Sequence, residues 1–531
     1  MSFFQKLKNF KSSDGNRKYL NNHSSKECPQ DHPDVPELNT LNWIQQKLGD
    51  SPDVMIRSLS GFKEQTNIDV TIVYIDGLID QQLLTTMLDV LANSPISSED
   101  DPIAWIKNHL PIGSLKSVDK NQLLVSVLEG QAIILVGEGN TVFTVSIGGG
   151  ARRSIEEPTS QTVLRGPKEG FTEDISTNMA LLRRILRTPD LRFDPLTIGE
   201  YTKTKVSVAF IRGIAEPEII LEVKKRLLSI ETDSILESGY IEEFIQDGVY
   251  TPFPTLMNTE RPDAVAGGLL EGLVAIIVDG TPFVLLAPVT FFRFFISSED
   301  YYQRYDIASF LRIIRFSSFL VALLLPSIFI AVTTFQQEML PTTLLISLAA
   351  QRENTPLPAL IEAFLMELTF EVIREAGVRM PRAIGPAISI VGALVLGQAA
   401  VQAGLVSAAM VIVVSFTAIS NFVMPAINMA AAVRLLRFTL MLLAGSLGLF
   451  GILAGLVPIL VHLVSLQTFG VPYLLPAAPF KLQNMKDLVL RFPWWSMRTR
   501  PAFISHRNPV RQGSNQKPDP QLTRDERDED Q

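Results

Sequence analysis

The pattern of apolar and polar positions divides this chain into two parts. Up to about residue 262, short apolar runs alternate with amphipathic and polar stretches, which is typical of a water-soluble α/β protein. From about residue 311 to 465, long apolar runs follow one another and indicate membrane spans. The sequence therefore predicts an α/β soluble head of two small subdomains plus an α-helical polytopic membrane domain. A large head on a bundle of spans favours a protein that senses on one side and acts in the bilayer.

An internal repeat is the basis for the two subdomains. The stretch 70–84 aligns with 206–220, and each copy reads as a short apolar strand, a glycine turn and an acidic helix start. The boundaries that we expect are a disordered polar tail over 1–37, subdomain 1 over 38–150, a linker over 151–162, subdomain 2 over 163–248, a joint with an interfacial or re-entrant element over 249–310, a transmembrane helical domain over 311–480, and a cytoplasmic tail over 481–531 that is mostly disordered after 500.

Charged residues decide where the spans begin. Residues 264–290 are apolar but carry Glu271 and Asp279, and several arginines follow. The positive-inside rule keeps such a region cytoplasmic, so we expect an interfacial or re-entrant element here instead of a span. The first clear span covers about 313–336. Residues 340–372 are apolar but interrupted by charges and prolines, which predicts a discontinuous or protein-buried membrane helix.

Three further spans are expected over about 383–403, 407–433 and 438–463. Arg434 and Arg437 then mark a cytoplasmic turn between the last two spans. The tail that follows is rich in lysine and arginine and is expected in the cytoplasm. A short re-entrant passage between the last span and this tail, through Phe469 to Phe480, would bring the chain back.

Composition argues against several kinds of partner. The 531 residues carry a formal net charge of -8 without a long basic patch in the soluble half, so nucleic acid is not expected as a partner. Cys28 is the only cysteine, so no intramolecular disulfide can form, and we expect the head in a reducing compartment. The N-terminus lacks the apolar core of a signal peptide, so the head is expected to stay in the cytoplasm.

Candidate catalytic and metal-binding groups are few. None of the five histidines has the spacing of a zinc site, and His23, Cys28 and His32 lie in the polar tail, where three ligands make a weak site. The glycine-rich run 146–153 lacks the ending of a phosphate-binding P-loop and reads as a linker. We therefore predict no enzyme activity, no catalytic residue, no metal site and no cofactor.

Three carboxylates lie in the predicted discontinuous membrane segment, at Glu362, Glu367 and Glu371. Ionisable groups inside a membrane are functional candidates by default, in ion pathways or proton relays. The alternative is an amphipathic helix over 355–376, on the membrane surface or against the head, with its acids in water. The sequence leaves both interpretations open.

The predicted span over 383–403 has two faces. One face carries small residues, which allow close packing between helices. The other face is a stripe at alternating spacings of four and three, formed by Ile384, Ile388, Val391, Val395, Gln398 and Gln402. Several copies of this stripe around an axis would line a pore, with aliphatic rings that gate by dewetting and glutamine rings that stay wet. The alternative is an ordinary seam between helices of a monomeric bundle.

Motifs at the joint resemble a known family. Pro252-Phe-Pro-Thr255 followed by Thr259-Glu-Arg-Pro-Asp263 resembles the signature of the A subunits of GerA-type spore germination receptors. Further matches are Arg165-Gly-Pro167, Arg379-Met-Pro-Arg-Ala-Ile-Gly-Pro386 and Pro493-Trp-Trp495, and the likeness covers roughly residues 40–500. The candidate coupling residues in these motifs are Pro252, Pro254, Thr259, Glu260, Arg261, Pro262, Asp263, Arg165, Gly166 and Pro167.

The resemblance implies a multi-pass protein of the inner membrane of bacterial spores, with its head on the cytoplasmic side. It implies two partners, a transporter-like B subunit that binds a nutrient and a lipoprotein C subunit. It also implies a homo-oligomer, with a pentamer suspected, that forms a nutrient-gated channel for monovalent cations. A sporulation-specific paralogue group shares the fold. The alternatives are a transporter that carries solute itself and a non-conducting signalling scaffold.

The signature suggests physical roles for its residues. Thr259 or Asp263 can cap the helix that follows, and Pro262 can help to fix its start. Arg261 and Glu260 can form charged contacts between the head and the membrane layer. The signature is then either a mechanical coupling element or a purely structural elbow.

Overall fold

The structure is a computed structural model of the chain. It describes residues 40–59, 70–93, 110, 115–118, 120–136, 141–149, 157–158, 161, 163–353, 355–379, 397–480, 485–501, 508–513 and 516–518. The predicted tail over 1–37 and most of the predicted linker over 151–162 lie outside the described residues.

The first part of the head is an antiparallel sheet with helices on both faces. Its strands are β1 (Val54–Leu59), β2 (Val70–Ile75), β3 (Lys116–Ser117), β4 (Gln131–Val136) and β5 (Thr141–Ser146), in the order β1-β2-β4-β5-β3, and its helices are α1 (Thr40–Leu48), α2 (Gln81–Asn93) and α3 (Lys120–Leu128). Alternate residues of β2 point to opposite faces. Ile72 and Tyr74 lie in one core with α2, whereas Val73 and Ile75 lie in another with α1 and α3.

The second part of the head repeats this topology. Its strands are β6 (Leu191–Ile198), β7 (Thr204–Ile211), β8 (Met257–Thr259), β9 (Val274–Val278) and β10 (Val284–Ala287), and its helices are α4 (Ile175–Ile185), α5 (Pro217–Leu228), α6 (Ser238–Ile245) and α7 (Pro262–Glu271). The order β6-β7-β9-β10-β8 is the order of the first sheet, strand for strand, and all pairs are antiparallel. The repeat predicted at 70–84 and 206–220 is therefore one part of a duplicated fold.

The second subdomain extends beyond its predicted end at residue 248. Residues 264–290, predicted as an interfacial or re-entrant element, instead supply most of α7 and the strands β9 and β10 of the second sheet. All residues of β9 and β10 are buried, because these strands have neighbours in the sheet and packing on both faces. Such doubly covered strands lose the alternation of apolar and polar positions and are then hard to distinguish from membrane segments.

One buried ion pair joins the two halves of the head. Arg183 of α4 donates from Nε to Asp53 Oδ2 at 2.7 Å and from Nη2 to Ser51 Oγ at 3.2 Å. Both charged side chains are almost completely buried. Because an unpaired charge in such a place costs several kcal/mol, the pair fixes how the two sheets meet.

The second half of the chain is helical. After short 3-10 helices at Phe291–Phe295 and Ser298–Tyr301 come α8 (Tyr305–Thr334), a 3-10 turn at Gln337–Met339, α9 (Thr342–Arg352), α10 (Ala359–Arg379), α11 (Ala408–Phe422) and α12 (Ile427–Ser465). Among the described residues, two helices are long and apolar enough to cross a membrane, α8 and α12. The first predicted span, over about 313–336, falls within α8 except for its last two residues, and the predicted break in 340–372 lies between α9 and α10.

Helix α12 is a hairpin of two helical arms that reverses at Gly448. A straight helix would place Leu440 and Gly455 about 22 Å apart along its axis. Instead, a Cβ atom at Gly455 would lie 2.6 Å from Leu440 Cδ2. The reversal occurs at Gly448, where φ is 62° and ψ is -142°, and the freed Leu449 N–H donates to Gln336 Oε1 at 3.3 Å. Both ends of the hairpin therefore lie on one side.

This hairpin corrects the predicted turn and spans. Arg434 and Arg437 lie inside the first arm of α12 and not in a cytoplasmic turn, and the residues predicted as one span over 407–433 belong to α11, a short connection and the start of α12. Two arginines close together in an apolar sequence predict a loop, because unpaired charges are not stable inside a membrane helix. Here acidic partners, which the local sequence does not reveal, allow both arginines to lie in a helix.

The segment after the hairpin packs on the head. Thr468 Oγ1 donates to Thr255 O at 3.0 Å, and Tyr473 donates from its hydroxyl to Pro254 O at 2.7 Å. The chain includes a two-stranded ribbon, β11 (Gln467–Thr468) and β12 (Val471–Pro472), and a 3-10 turn at Trp494–Ser496. The predicted re-entrant passage through 469–480 is therefore wrong, because the reversal at Gly448 already returns the tail to the head.

We predict that Gly448→Ala lowers the free energy of unfolding by about 1–3 kcal/mol, because its backbone conformation is accessible almost only to glycine. A Cβ atom there would also lie 2.7 Å from Gln336 Oε1. The measurement is thermal unfolding of the full chain in detergent. Ser446→Ala, at an exposed position of the same arm, is the control and should unfold like the wild type. Equal midpoints for both variants would contradict the hairpin.

Candidate functional site

The joint signature folds into a compact buried cluster. Arg261 donates from Nη2 to Asp263 Oδ2 at 2.8 Å and to Pro167 O at 3.0 Å. Tyr302 donates from its hydroxyl to the same Asp263 oxygen at 2.6 Å. Burial and the adjacent Asp263 carboxylate raise the pKa of the Tyr302 hydroxyl, which therefore stays protonated as a donor. The structure thus brings together two predicted motifs that lie about a hundred residues apart.

Gly166 allows this close approach. Its φ is 134°, and a Cβ atom there would lie 2.6 Å from the ring of Tyr302. Pro167 follows it and presents its carbonyl oxygen to Arg261. Arg165, the first residue of the same motif, is exposed and lies outside the cluster.

The predicted capping roles are partly corrected. Pro262 occupies the first turn of α7, as predicted, but the N-cap residue is Arg261, whose side chain makes no capping hydrogen bond. Thr259 Oγ1 accepts from Arg261 N at 3.2 Å, ahead of the helix, and Asp263 Oδ1 accepts from Ala264 N at 3.0 Å. Glu260 is buried, and its backbone carbonyl accepts from Phe171 N.

The other half of the signature contacts the end of the hairpin. Phe253, between Pro252 and Pro254, stacks on His462 with ring centroids 6.3 Å apart. Thr251 Oγ1 and His462 Nε2 are 2.7 Å apart. Together with the bond from Tyr473 to Pro254 O, these contacts connect the head to the last turns of α12.

A second contact between the head and the hairpin involves a titratable group. Asn428, in the first turn of α12, donates to Glu242 of α6 at 3.4 Å. Burial, with a smaller contribution from Glu237, raises the pKa of Glu242 from 4.5 to about 7. This carboxyl group therefore titrates in a higher pH range than an ordinary glutamate.

The head also holds the start of α8 through a buried ionic network. Arg312 lies on the first turns of α8 and bonds Asp300 Oδ2 at 3.0 Å and Asp487 Oδ1 at 2.7 Å. Arg315 bonds Asp300 at 2.7 Å, and Tyr301 donates to Asp487 Oδ2 at 2.7 Å. The network joins the head, the first long helix and the tail, and each buried charge has an opposite charge within reach.

The three predicted membrane acids lie inside the helical bundle. Glu362 is fully buried and accepts from both the backbone and the hydroxyl of Ser407, at 2.5 and 2.6 Å. Glu367 forms a buried ion pair with Arg437 at 2.7 Å. The interpretation with these two acids in water is therefore wrong.

Glu371 lies closer to the edge of the bundle than the other two acids. It pairs with Arg434 at 3.1 Å and also contacts Arg374 of its own helix. The pairs of Glu367 with Arg437 and of Glu371 with Arg434 cross-link α10 to the first arm of α12 in antiparallel fashion, so the charge of each of these two acids is matched by an arginine.

The predicted pore stripe is described only at its end. Ile384, Ile388, Val391 and Val395 lie outside the described residues, so their placement stays a prediction. Gln398 and Gln402 lie on a helix, four residues apart, and both are exposed.

Sequence reasoning missed six residues of the two clusters: Tyr302 at the joint, and Asp300, Tyr301, Arg312, Arg315 and Asp487 in the ionic network. Arg312 and Arg315 are spaced for one helix face at the start of an apolar run, which is a signal for a paired site. Asp487 carries no comparable signal, because its partner Arg312 is 175 residues away in sequence. Asp300 lies near its partners in sequence but outside their helix, so it shares no helical spacing with them. Within the described residues, no group of three or more His, Cys, Asp or Glu could hold a metal ion.

Comparisons with known proteins agree on one family. The model of the family described as Bacillus/Clostridium GerA spore germination protein matches residues 42–503. Spore germination protein KA of Bacillus subtilis (strain 168) is 46% identical over 483 residues, which are 90% of this chain and 89% of that protein. The uncharacterized membrane protein YfkQ of the same organism is 46% identical over 82% of this chain and 86% of its own length.

One solved structure also matches part of the chain. It is the crystal structure of the N-terminal domain of the A subunit of the Bacillus megaterium spore germinant receptor GerK3, at 40% sequence identity. The match covers 47% of this chain and 94% of that chain, with a TM-score of 0.36.

We predict that Arg437→Leu lowers the free energy of unfolding by about 3–5 kcal/mol, because it leaves Glu367 buried without its cation. The double variant Glu367→Leu/Arg437→Leu should recover most of this loss, since neither charge then remains. Thermal unfolding of the full chain in detergent, followed by tryptophan fluorescence, measures both effects.

The control for this cycle is Arg379→Leu, which removes an exposed pair with Glu375 on the same helix as Glu367. It should cost less than about 1 kcal/mol. A double variant that is as unstable as Arg437→Leu alone would show that the two side chains contribute through packing and not through their pairing.

Proposed function

The chain belongs to the GerA family of spore germination proteins, and we propose that it acts as the A subunit of a germinant receptor that forms a nutrient-gated cation channel. A germinant receptor role is supported by its relatives, which are spore germination proteins. The protein has no catalytic role in this proposal. It converts a change at the head into a change of conductance in the helical half.

The proposal of a pore between copies rests on one difference in the helical half: two of its glutamates are buried, whereas the glutamines of the predicted pore stripe are exposed. Glu362 and Glu367 are buried and held by hydrogen bonds and an ion pair, which leaves them little access to a wet path inside one copy. Gln398 and Gln402 are exposed on the helix that ends the predicted stripe. A pore that uses these glutamines therefore lies between copies, and the channel is a homo-oligomer, with the pentamer of the family as the expected form.

The joint is the proposed coupling element. Its residues contact α7 of the head, Tyr302 ahead of α8 and the end of α12 at once. A rearrangement of the head therefore reaches two long helices through short, buried polar contacts. The alternative is that the joint is a purely structural elbow, in which case these contacts would stay unchanged during activation.

Two partners complete the receptor. We propose that a transporter-like B subunit binds the nutrient and that a lipoprotein C subunit joins the complex. The complex lies in the inner membrane of the spore, and the bilayer is crossed by α8, α10, the predicted span over 383–403, α11 and the two arms of α12. The head and the tail then both face the cytoplasm, because α12 returns to the side on which it begins.

We predict that positions 250 and 510 lie on one side of the membrane and position 339 on the other. Tyr250, Met339 and Val510 are exposed, and Met339 follows the far end of α8. Single cysteines at these positions in a Cys28→Ser background can be labelled with a membrane-impermeant maleimide in vesicles of known orientation. Labelling of positions 250 and 510 from opposite sides would disprove the proposed topology.

We predict that Val391→Phe and Val395→Phe block or strongly alter potassium release from spores after nutrient addition. A bulky ring in an aliphatic constriction narrows it and changes its dewetting. The variants are compared with the wild type at matched protein level and assembly. Ile412→Phe, at an exposed position of α11, is the matched control and should release potassium normally.

Unchanged release in both valine variants would rule out a pore lined by this stripe. Uptake of radiolabelled nutrient by vesicles that contain the A subunit would favour the alternative, a transporter that carries solute itself. Normal germination signalling without any conductance would favour a scaffold.

A further inference from the structure

A cavity of about 760 Å³ lies where the head, the tail and the helical half meet. Its walls come from α7, from the 3-10 helix Ser298–Tyr301, from Arg315 of α8 and from the connection Phe422–Pro425 between α11 and α12. Trp494, Arg500 and Arg511 of the tail also line it. The lining includes Arg261 and Asp263 of the joint signature, but most of its residues come from other segments.

The walls of the cavity are rich in arginine. The lining contains Arg261, Arg293, Arg315, Arg500 and Arg511 against Asp263, Glu271 and Glu299. Since Arg315 is paired with Asp300 behind the lining, an excess of one positive charge remains. Such an excess in a confined space favours an anion.

Three of these arginines are not matched one to one by carboxylates. Arg500 donates to the carbonyl oxygens of Leu270 and Val510 and to Asn508, and within the described residues it has no carboxylate partner. Arg293 and Arg511 share Glu271. Two cations beside one carboxylate leave a charge that a ligand can neutralise.

Arg261 provides a separate observation, a buried hydrogen-bond donor that has no acceptor in the part of the chain that the structure describes. Its side chain lines the cavity and is more than nine-tenths buried. Although Nη1 and Nη2 are bonded, Nε is buried without a hydrogen-bond partner among the described residues. A buried donor without an acceptor is costly, so the Arg261 side chain is incompletely satisfied at the wall of the cavity.

The position of the cavity points to the membrane surface. Arg315 stands directly before the apolar stretch of α8, and Phe422 ends α11, so the cavity lies at the head-side ends of both helices. Phe416 and Ile419 of α11 and Leu320 of α8 are exposed along the two helices. Tyrosine and tryptophan in the lining are the residues that membrane interfaces favour.

We propose that this cavity binds a phosphate-bearing anion, namely the headgroup of an anionic phospholipid whose acyl chains lie along α8 and α11. Arginines bind phosphate through charge-assisted and often bidentate hydrogen bonds. The proposal rests on the proposed placement of the apolar helices in a bilayer. A bound headgroup would link the joint, the first long helix and the tail, so the lipid would stabilise the coupling between them.

The test uses the full chain purified in a non-ionic detergent and the fluorescence of Trp494, which lines the cavity. Brominated phosphatidylglycerol is titrated as the anionic quencher, brominated phosphatidylcholine as the neutral one, and inorganic phosphate as a competitor. Trp494→Phe identifies the share of the signal that comes from the cavity. Arg500→Gln and Arg511→Gln are the test variants, because neither leaves a buried carboxylate without a cation.

We expect phosphatidylglycerol to quench Trp494 at lower concentrations than phosphatidylcholine. Each test variant should weaken this binding about fivefold, the effect of one basic residue near an anionic surface. Arg498→Gln removes an exposed charge from the same part of the tail and should bind like the wild type.

Two outcomes would overturn the proposal. One is equal quenching by both lipids, and the other is an equal loss of binding in Arg498→Gln and Arg500→Gln. Displacement of phosphatidylglycerol by inorganic phosphate at similar concentrations would assign the site to a soluble phosphate compound and overturn the lipid assignment. The assay measures lipid binding and does not depend on conductance. A negative result would therefore contradict the lipid site without contradicting the proposed channel.

Discussion

A charge buried in apolar surroundings must be paired, and this constraint holds the parts of the chain together. Arg183 with Asp53 joins the two sheets, Arg312 with Asp300 joins the head to α8, and Arg437 with Glu367 joins α10 to α12. The first and the last of these pairs connect elements that are remote in sequence, whereas Asp300 lies twelve residues before Arg312. An arrangement that separated the partners would leave an unpaired charge, so the pairs select one relative placement of the elements and exclude neighbouring ones.

The same constraint explains which parts of the fold could be predicted. The strand and helix unit at 70–84 and its copy at 206–220 were visible because their patterns are local. β9 and β10 were mistaken for membrane-associated chain because both faces of these strands are covered. Arg434 and Arg437 looked like a loop because their acidic partners lie sixty or more residues away. The reversal at Gly448 carries no local signal, since glycine is common in apolar helices of this kind.

The candidate site shows a similar division. The motifs at 165–167 and 259–263 were singled out from resemblance, and the structure brings Pro167, Arg261 and Asp263 into direct contact. Tyr302 could not be found in this way, because an isolated tyrosine has no pattern. Only the structure shows that the ring of Tyr302 fills the space beside Gly166, where a larger residue would clash with it. Residues whose role depends on a partner remote in sequence are those that single-sequence reasoning cannot reach.

The head holds the start of α8 and the end of α12 through contacts of different physical character. Charged groups hold the start of α8, whereas aromatic and neutral hydrogen-bonding groups hold the end of α12. These two helices pack against each other along much of their length. Because ion pairs in an apolar site resist separation more than a ring contact does, a displaced head would move α8 with it and slip at α12 first. A displacement of α12 relative to α8 would be transmitted to α10, because α12 is joined to α10 through Glu367 and Glu371. A movement that begins in the head would then reach the centre of the bundle without breaking the buried pairs that define it.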